Sequence, residues 1–316
     1  MQIVDFTSKY QAQARELVLQ NMQEERAHNP LLPGEAFLPP LESLAENGLG
    51  AAAVEGERLL GFLGAYGPWK PVFCTPDTAG VFSPLHAHGV QRENRERIWQ
   101  RLYQAAAEKW AGAGAASHAI TLFTHDTEAQ KGLYLYGFGV RCMDFVQDMG
   151  RMGAAECPFV RELKKEEQSL LNPLRRRLSA HLSQSPCFMH DTVEMVEHWL
   201  RMRGENPPRA FVYEEAGRII AYMEAVKEGE NFLTYAPDMM NICGAYCLPE
   251  YRGSGVSQAL LSHMASVFRR EGYGRLGVDC ESFNPTALHF WQKHFSVYTH
   301  SVARRIDENA VMAGRK

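Results

Sequence analysis

The sequence predicts an α/β (α+β) protein of two domains, each a mixed, mostly antiparallel sheet flanked by helices. Three observations carry this expectation. The chain has 316 residues, beyond the size at which one hydrophobic core usually stops growing and short for three ordinary domains. Hydrophobic residues at 45% and charged residues at 22% describe an ordinary globular chain. The two halves also repeat one order of strands and helices at an offset of about 160 residues, and self-similarity at a fixed period reports architecture before any single motif does.

Each half opens with a short extended segment, at residues 3–6 or 159–161, followed by a helical one. The first helix places Ala14, Leu17, Val18 and Met22 on one face, and the second places Leu170, Leu171, Leu174, Leu178 and Leu182, at the three- and four-residue spacing of an amphipathic helix. Pro173 marks a first turn or a kink. A hairpin comes next in each half, with Arg58 following the turn at Gly56 and Arg218 following the turn at Gly217. A strand then ends near Pro84 or Pro249. Long helices are expected over 94–111 and 255–271, strands over 119–123 and 275–278, and a short helix with aromatics after each. The boundary is expected at 150–158, where Gly153, Ala154, Ala155 and Pro158 interrupt the periodic pattern. That gives domains of 1–152 and 158–316.

A formal net charge of -4 offers no general attraction for nucleic acid. Met1-Gln2-Ile3-Val4-Asp5-Phe6 lacks the basic segment and apolar run of a secretory signal. No apolar stretch approaches the roughly 20 residues needed to span a bilayer. A soluble, cytoplasmic protein without nucleic-acid or membrane partners is expected. The cysteines number seven, several of them on apolar strands (Cys243, Cys247, Cys280), and read as reduced thiols. No two form a C-x-x-C pair, and His86 and His88 lack a third ligand, so no metal is expected.

The chemistry concentrates in the second half. The strand 241–248 runs into Pro249-Glu250-Tyr251-Arg252-Gly253-Ser254-Gly255-Val256-Ser257 and then into an amphipathic helix. A strand, a loop of small residues and a helix N-terminus expose several backbone N–H groups to an anion. Gly253 and Gly255 admit close backbone approach, and the helix dipole adds partial positive charge. A tight turn without a ligand is the plain alternative. The segment has neither the Gly-Lys-Ser/Thr ending of a P-loop nor the three-glycine spacing of a dinucleotide fold.

With Arg252, Gly255 and Ser257 in place, the loop resembles the cofactor signature of the GNAT superfamily of acyl-CoA-dependent N-acyltransferases, and Cys247-Leu248-Pro249 resembles the Val-x-Pro before it. Asn284-Pro285-Thr286-Ala287-Leu288-His289-Phe290-Trp291 resembles the family's Asn-x-x-Ala-x-x-Leu-Tyr element. The resemblance implies tandem GNAT-like domains with acetyl-CoA as co-substrate. It places the N–H groups of Gly253, Ser254, Gly255, Val256 and Ser257 on the pyrophosphate. Cys247, Leu248, Pro249, Arg252, Asn284 and Trp291 complete the expected contacts, along a gap between the fourth and fifth strands.

Acyl transfer to an amine needs a base for the ammonium proton and often an acid for the departing thiolate. The family's acid is commonly a Tyr, matched here by Trp291, whose indole donates a hydrogen bond but supplies no proton in ordinary chemistry. For the base, Glu224, Glu281 and Tyr246 stand nearby in the implied fold, and Glu281 and Tyr246 are preferred. A water chain to solvent needs no dedicated base. In the first half the matching segment, 83–92, has one glycine, Gly89, and bulky neighbours. It is expected to hold no CoA, as a degenerate copy. The expected activity is acetylation of a small amine in the C-terminal domain. A CoA-binding or small-molecule-sensing protein is the alternative. The run Arg175-Arg176-Arg177 can meet an acidic substrate or phosphates, or simply face solvent.

Overall fold

The computed structural model describes residues 1–72, 78–153 and 155–313; Cys74 and Ala154 lie outside them. The chain divides into two units, Met1–Met143 with Val297–Lys316, and Asp144–Ser296. The first contains β1 (Gln2–Asp5), α1 (Gln11–His28), α2 (Glu42–Glu46), β2 (Ala51–Glu55), β3 (Arg58–Leu63), β4 (Tyr66–Trp69), β5 (Gly80–Ser83) and β6 (His88–Val90). It continues through α3 (Arg95–Gly112), β7 (Ser117–Phe123), α4 (Thr127–Tyr134) and the start of β8 (Gly139–Asp148). The second contains β9 (Val160–Glu162), α5 (Asn172–Leu182), α6 (Val193–Glu205), β10 (Arg209–Glu215), β11 (Arg218–Val226) and β12 (Met239–Cys247). After these come α7 (Val256–Arg270), β13 (Arg275–Glu281) and α8 (Pro285–His294), then β14 (Ser296–Val297), β15 (Thr299–Arg305) and α9 (Glu308–Ala313).

The second half follows the order read from the sequence, and the first follows it with two further strands, β4 and β6, between its hairpin and α3. Both hairpins turn at left-handed glycines, Gly56 (φ 60°) and Gly217 (φ 74°), a conformation that side chains with a Cβ avoid. In the first unit β1, β2, β3 and β6 form an antiparallel sheet, and β5 lies parallel to β7. Helix α3 buries Ile98, Trp99, Leu102, Tyr103, Ala106 and Trp110, the face that three- and four-residue spacing dictates. In the second unit β9, β10, β11 and β12 are antiparallel neighbours and β13 joins parallel to β12. Pro173 stands in the first turn of α5 rather than at a kink.

Two expectations are corrected. The chain does not divide at 150–158 into 1–152 and 158–316. Strand β15 pairs antiparallel with β7 from Thr299↔Phe123 to Arg305↔Ser117, which puts the end of the second half into the first unit, while β8 residues from Asp144 count with the second. Strand partners are chosen by free sheet edges rather than sequence proximity, so composition along the chain carries no sign of the exchange. The arginine run is also not one solvated face. Arg175 is 1% exposed and donates to Glu224, which is 0% exposed; Arg176 pairs at the surface with Glu197.

His86 and His88 are each hydrogen-bonded within the fold. His88 lies in β6, 5% exposed, hydrogen-bonded through Nε2 to the Thr121 carbonyl at 2.6 Å, and His86 Nε2 bonds the Tyr66 hydroxyl at 3.0 Å. His118 is fully buried between the Tyr103 hydroxyl and the Ala115 carbonyl. Burial pulls each of these three imidazoles down to about 4, since desolvation penalises the charged ring.

Two measurements check this arrangement. A fragment ending at residue 152 leaves β7 without the ladder of β15, and it is expected to show no cooperative melt by circular dichroism while the full chain melts cooperatively. The histidines give an acid limb. Their folded values near 4 lie below the ordinary 6.5, so the unfolded chain binds more protons between those pH values. Their contribution is complete above pH ~6.5 and is lost as pH falls toward ~4. Melting temperature should decline over that interval, and less steeply in His88→Gln, which keeps a donor for the Thr121 carbonyl.

Candidate functional site

The site begins with a ladder that stops. Strands β12 and β13 pair in parallel from Met239↔Arg275 to Ile242↔Val278 and no further, although β12 runs on to Cys247 and β13 to Glu281. Beyond that point β12 keeps only β11 as a partner, at Glu224↔Gly244, Met223↔Ala245, Tyr222↔Tyr246 and Ala221↔Cys247. Peptide groups on its other edge are left for a different occupant. The register with β11 also slips between Glu224 and Ala225, so Cys243 has no opposite residue and forms a bulge that redirects the strand.

A cleft of about 440 Å³ opens here. The separated strand contributes Ala245, Tyr246 and Cys247, the following loop Arg252, Gly253, Gly255 and Ser257, and the next helix Asn284, Phe290 and Trp291. Gly253 (φ 78°) and Gly255 (φ 89°) both take left-handed conformations, and a Cβ at either would project into open space. Gly255 is the N-cap of α7, and no side chain caps that end. The first N–H groups of a helix have no intrahelical acceptor, so this terminus presents donors and the positive dipole end at the cleft. Arg252 is tied into the loop by its Nε bond to the Cys247 carbonyl at 3.2 Å, and its guanidinium lies 5.5 Å from the Tyr246 ring centre.

Asn284 is buried and caps α8, its side-chain oxygen accepting from the Ala287 N–H at 3.3 Å. Trp291 is 4% exposed and packs edge-on against Phe290 and Phe295. Of the expected contacts, Cys247, Arg252, Gly253, Gly255, Ser257, Asn284 and Trp291 line the cleft together with Tyr246. Leu248, Pro249, Ser254 and Val256 build the loop without lining it, and Leu248 faces a separate hollow. Glu281 does not line the cleft either. It shares a strand face with Asp279, two residues away. Burial, and then the charges of Glu230, Asp144 and Glu281, raise the Asp279 carboxyl well above the usual range.

Three contributors were not foreseen. His181 of α5 lines the cleft, and burial followed by the Arg252 charge lowers its pKa, which favours the neutral ring. Tyr222 lines it too, with a hydroxyl that has no hydrogen-bond partner and a pKa raised first by burial and then by Glu224. Arg203 of α6 reaches the bulge at Cys243. Only the hydrophobic spacing of α5 hinted that His181 would share a face with Leu178 and Leu174.

The first unit lacks this loop. The expected loop at 83–92 contains β6, and the connection into α3 is formed by residues 91–94, without a glycine. Gly89 lies in β6, where a Cβ would come within 3.0 Å of the Val18 backbone nitrogen. It is a packing glycine.

No helix among the described residues is long and apolar enough to cross a membrane. Among the same residues, no group of three or more His, Cys, Asp and Glu is placed to hold a metal ion.

Residues 176–296 match the acetyltransferase (GNAT) family. No curated protein matches the chain in sequence. Among solved structures, the chain is similar to the GCN5-related N-acetyltransferase of Sphaerobacter thermophilus, with a TM-score of 0.60 and 12% identity over 96% of this chain and 95% of that one. It is also similar to a GNAT-family acetyltransferase of Colwellia psychrerythraea, with a TM-score of 0.50 and 12% identity over 97% and 100% of the two chains. Likeness at that identity speaks for the fold, whereas the family match covers the strand that parts, the glycine loop and the capped helix. Residues 176–296 are therefore a domain of the acetyltransferase (GNAT) family, set in a chain of two units built from mixed sheets flanked by helices.

Proposed function

We propose that the chain is an acetyl-CoA-dependent N-acetyltransferase of a small amine, with its cofactor site in the second unit and a first unit that binds no CoA. The observation that carries this reading is the parting of β12 from β13 beside an uncapped helix N-terminus. An extended arm rich in amides fits the unpaired strand edge, and a pyrophosphate fits the N–H groups from Gly253 to Ser257. The fit rests on Gly253 and Gly255, whose missing side chains leave the space in front of the backbone open.

The thioester supplies an activated acyl group. The chain's own task is to orient it, exclude water and take a proton from the attacking amine. Tyr246 on the cleft wall and Glu281 are the proposed proton acceptors; Glu281 lies off the wall, beside Asp279 on the same strand face, and takes the proton through water. Clustered carboxylates there attract an ammonium group, and burial followed by their charges holds the Asp279 carboxyl above the usual range. Tyr246 sits on the cleft wall opposite Tyr222 across the β11–β12 ladder. Trp291 acts as an apolar wall, so the departing thiolate takes its proton from solvent or from the attacking nitrogen as the amide forms.

Gly255→Trp is expected to lower CoA affinity by more than about 100-fold in calorimetric titration, while the far-ultraviolet dichroism stays that of the parent. Unchanged affinity would remove the loop from the reading. For the chemistry, Glu281→Gln should reduce kcat about 100-fold with CoA affinity unaltered; equal turnover would take the proton-acceptor role from Glu281. A protein that binds acetyl-CoA but acetylates nothing in a broad amine panel above the uncatalysed rate would instead be a CoA sensor.

A further inference from the structure

The bulge at Cys243 is held in place by a buried charge cluster. Arg203 Nη2 donates to the Cys243 carbonyl at 3.1 Å and Nη1 to its Sγ at 3.1 Å. Nη1 also lies 3.7 Å from Glu224 Oε2. From the other side Arg175 donates through Nε to Glu224 Oε1 at 3.1 Å, with a second contact through Nη2, and its remaining donors go to the Gln168 carbonyl and side chain and to Asn172. Two guanidiniums from different helices thus meet on one fully buried carboxylate of β11. That carboxylate presses on the bulge itself, since a Cβ at residue 244 would stand 2.8 Å from Glu224 Oε2.

The two arginines are not equivalent. Arg175 is sealed in and gives both of its Glu224 contacts to Oε1, while Oε2 has no hydrogen bond and faces Arg203 at 3.7 Å. Arg203 is partly exposed and gives its donors to Cys243, the residue of β12 that pairs with neither β11 nor β13. A bulge left to itself has alternatives, because the extra residue can migrate along the strand and turn the following side chains to the other face. The residues that would turn are Ala245, Tyr246 and Cys247, the cleft wall.

We propose that Arg203 is a positioning residue for acyl transfer: by gripping Cys243 it fixes the bulge, and with it the course of Ala245, Tyr246 and Cys247 along the cleft. This rests on the acyltransferase reading above. It also ties α6 to the sheet at the reacting end of the site, since Leu200 is the only residue of that helix that is buried. Displacing reacting groups by an ångström lowers rates by up to about 100-fold, whereas the pyrophosphate loop, farther along the chain, should be indifferent.

The test compares Arg203→Met and Arg203→Lys with the parent protein, full length, using acetyl-CoA and CoA as probes. Three quantities are read: CoA affinity by calorimetry, kcat and KM with the best amine of the panel, and backbone amide exchange over residues 240–248. Arg203→Met should keep CoA affinity within about twofold, lower kcat about 100-fold and speed exchange at 243–245 at least about tenfold. Arg203→Lys keeps the charge near Glu224 but loses the fork that spans carbonyl and thiol, so it should fall between. Unchanged exchange at 243–245 in both variants overturns the proposal, as does unchanged kcat in Arg203→Met when the parent is active. Should the parent bind CoA and acetylate nothing, the acyltransferase reading fails and the exchange measurement still decides whether Arg203 holds the bulge. If Arg203→Met does not fold, Arg203→Lys decides alone, and exchange and kcat at parental values in that variant sink the idea.

Discussion

Strands β12 and β13 hold their ladder only as far as Ile242 and Val278, and the arrangement of the second unit is organised around the edge that this leaves. A strand edge inside a folded unit carries peptide donors and acceptors that must be met by something. The sheet meets part of the requirement on the other side, through β11, and hands the remainder to a cleft. The helix after the loop and the helix capped by Asn284 then close the two ends of that opening. A Cβ at Gly244 would stand 2.8 Å from Glu224 Oε2, and Glu224 is itself met in the core by Arg175. A buried carboxylate without such partners would cost several kcal/mol. The shape of the cleft and the charge in the core are one problem with one solution.

Much of this was legible in the residues. Gly253 and Gly255 before an amphipathic stretch announce a helix N-terminus that a ligand can approach, and both take the left-handed conformations that only glycine adopts easily. Asn284 before Pro285 announces a cap, and the structure gives it that role. The hairpins at Gly56 and Gly217 and the helices after the prolines follow from local pattern, which is fixed by steric and hydrophobic rules acting within a few residues.

What was not legible depends on partners distant in sequence. The three neighbouring arginines are identical by composition and spacing, yet Arg175 is sealed in the core and Arg176 pairs at the surface, because a helix turns each by about 100° toward a different environment. Glu281 at its strand end shares a face with Asp279 and lies off the cleft wall, a placement set by strand alternation that no local pattern around it marks. The bulge at Cys243 has no sequence mark at all. It appears only once β11 and β12 are paired and their residues counted against each other.

Strand β15 has a consequence for how the molecule is made. Its ladder with β7 joins residues about 180 positions apart, and pairings of that span are the slow steps of folding because the intervening chain must be closed into a loop first. During synthesis the first unit emerges early with one edge of β7 open, and an open edge is a template for the wrong partner. It stays open while the entire second unit is translated. The edge of β7 can therefore be paired as in the native sheet only once β15, made after the whole second unit, is available.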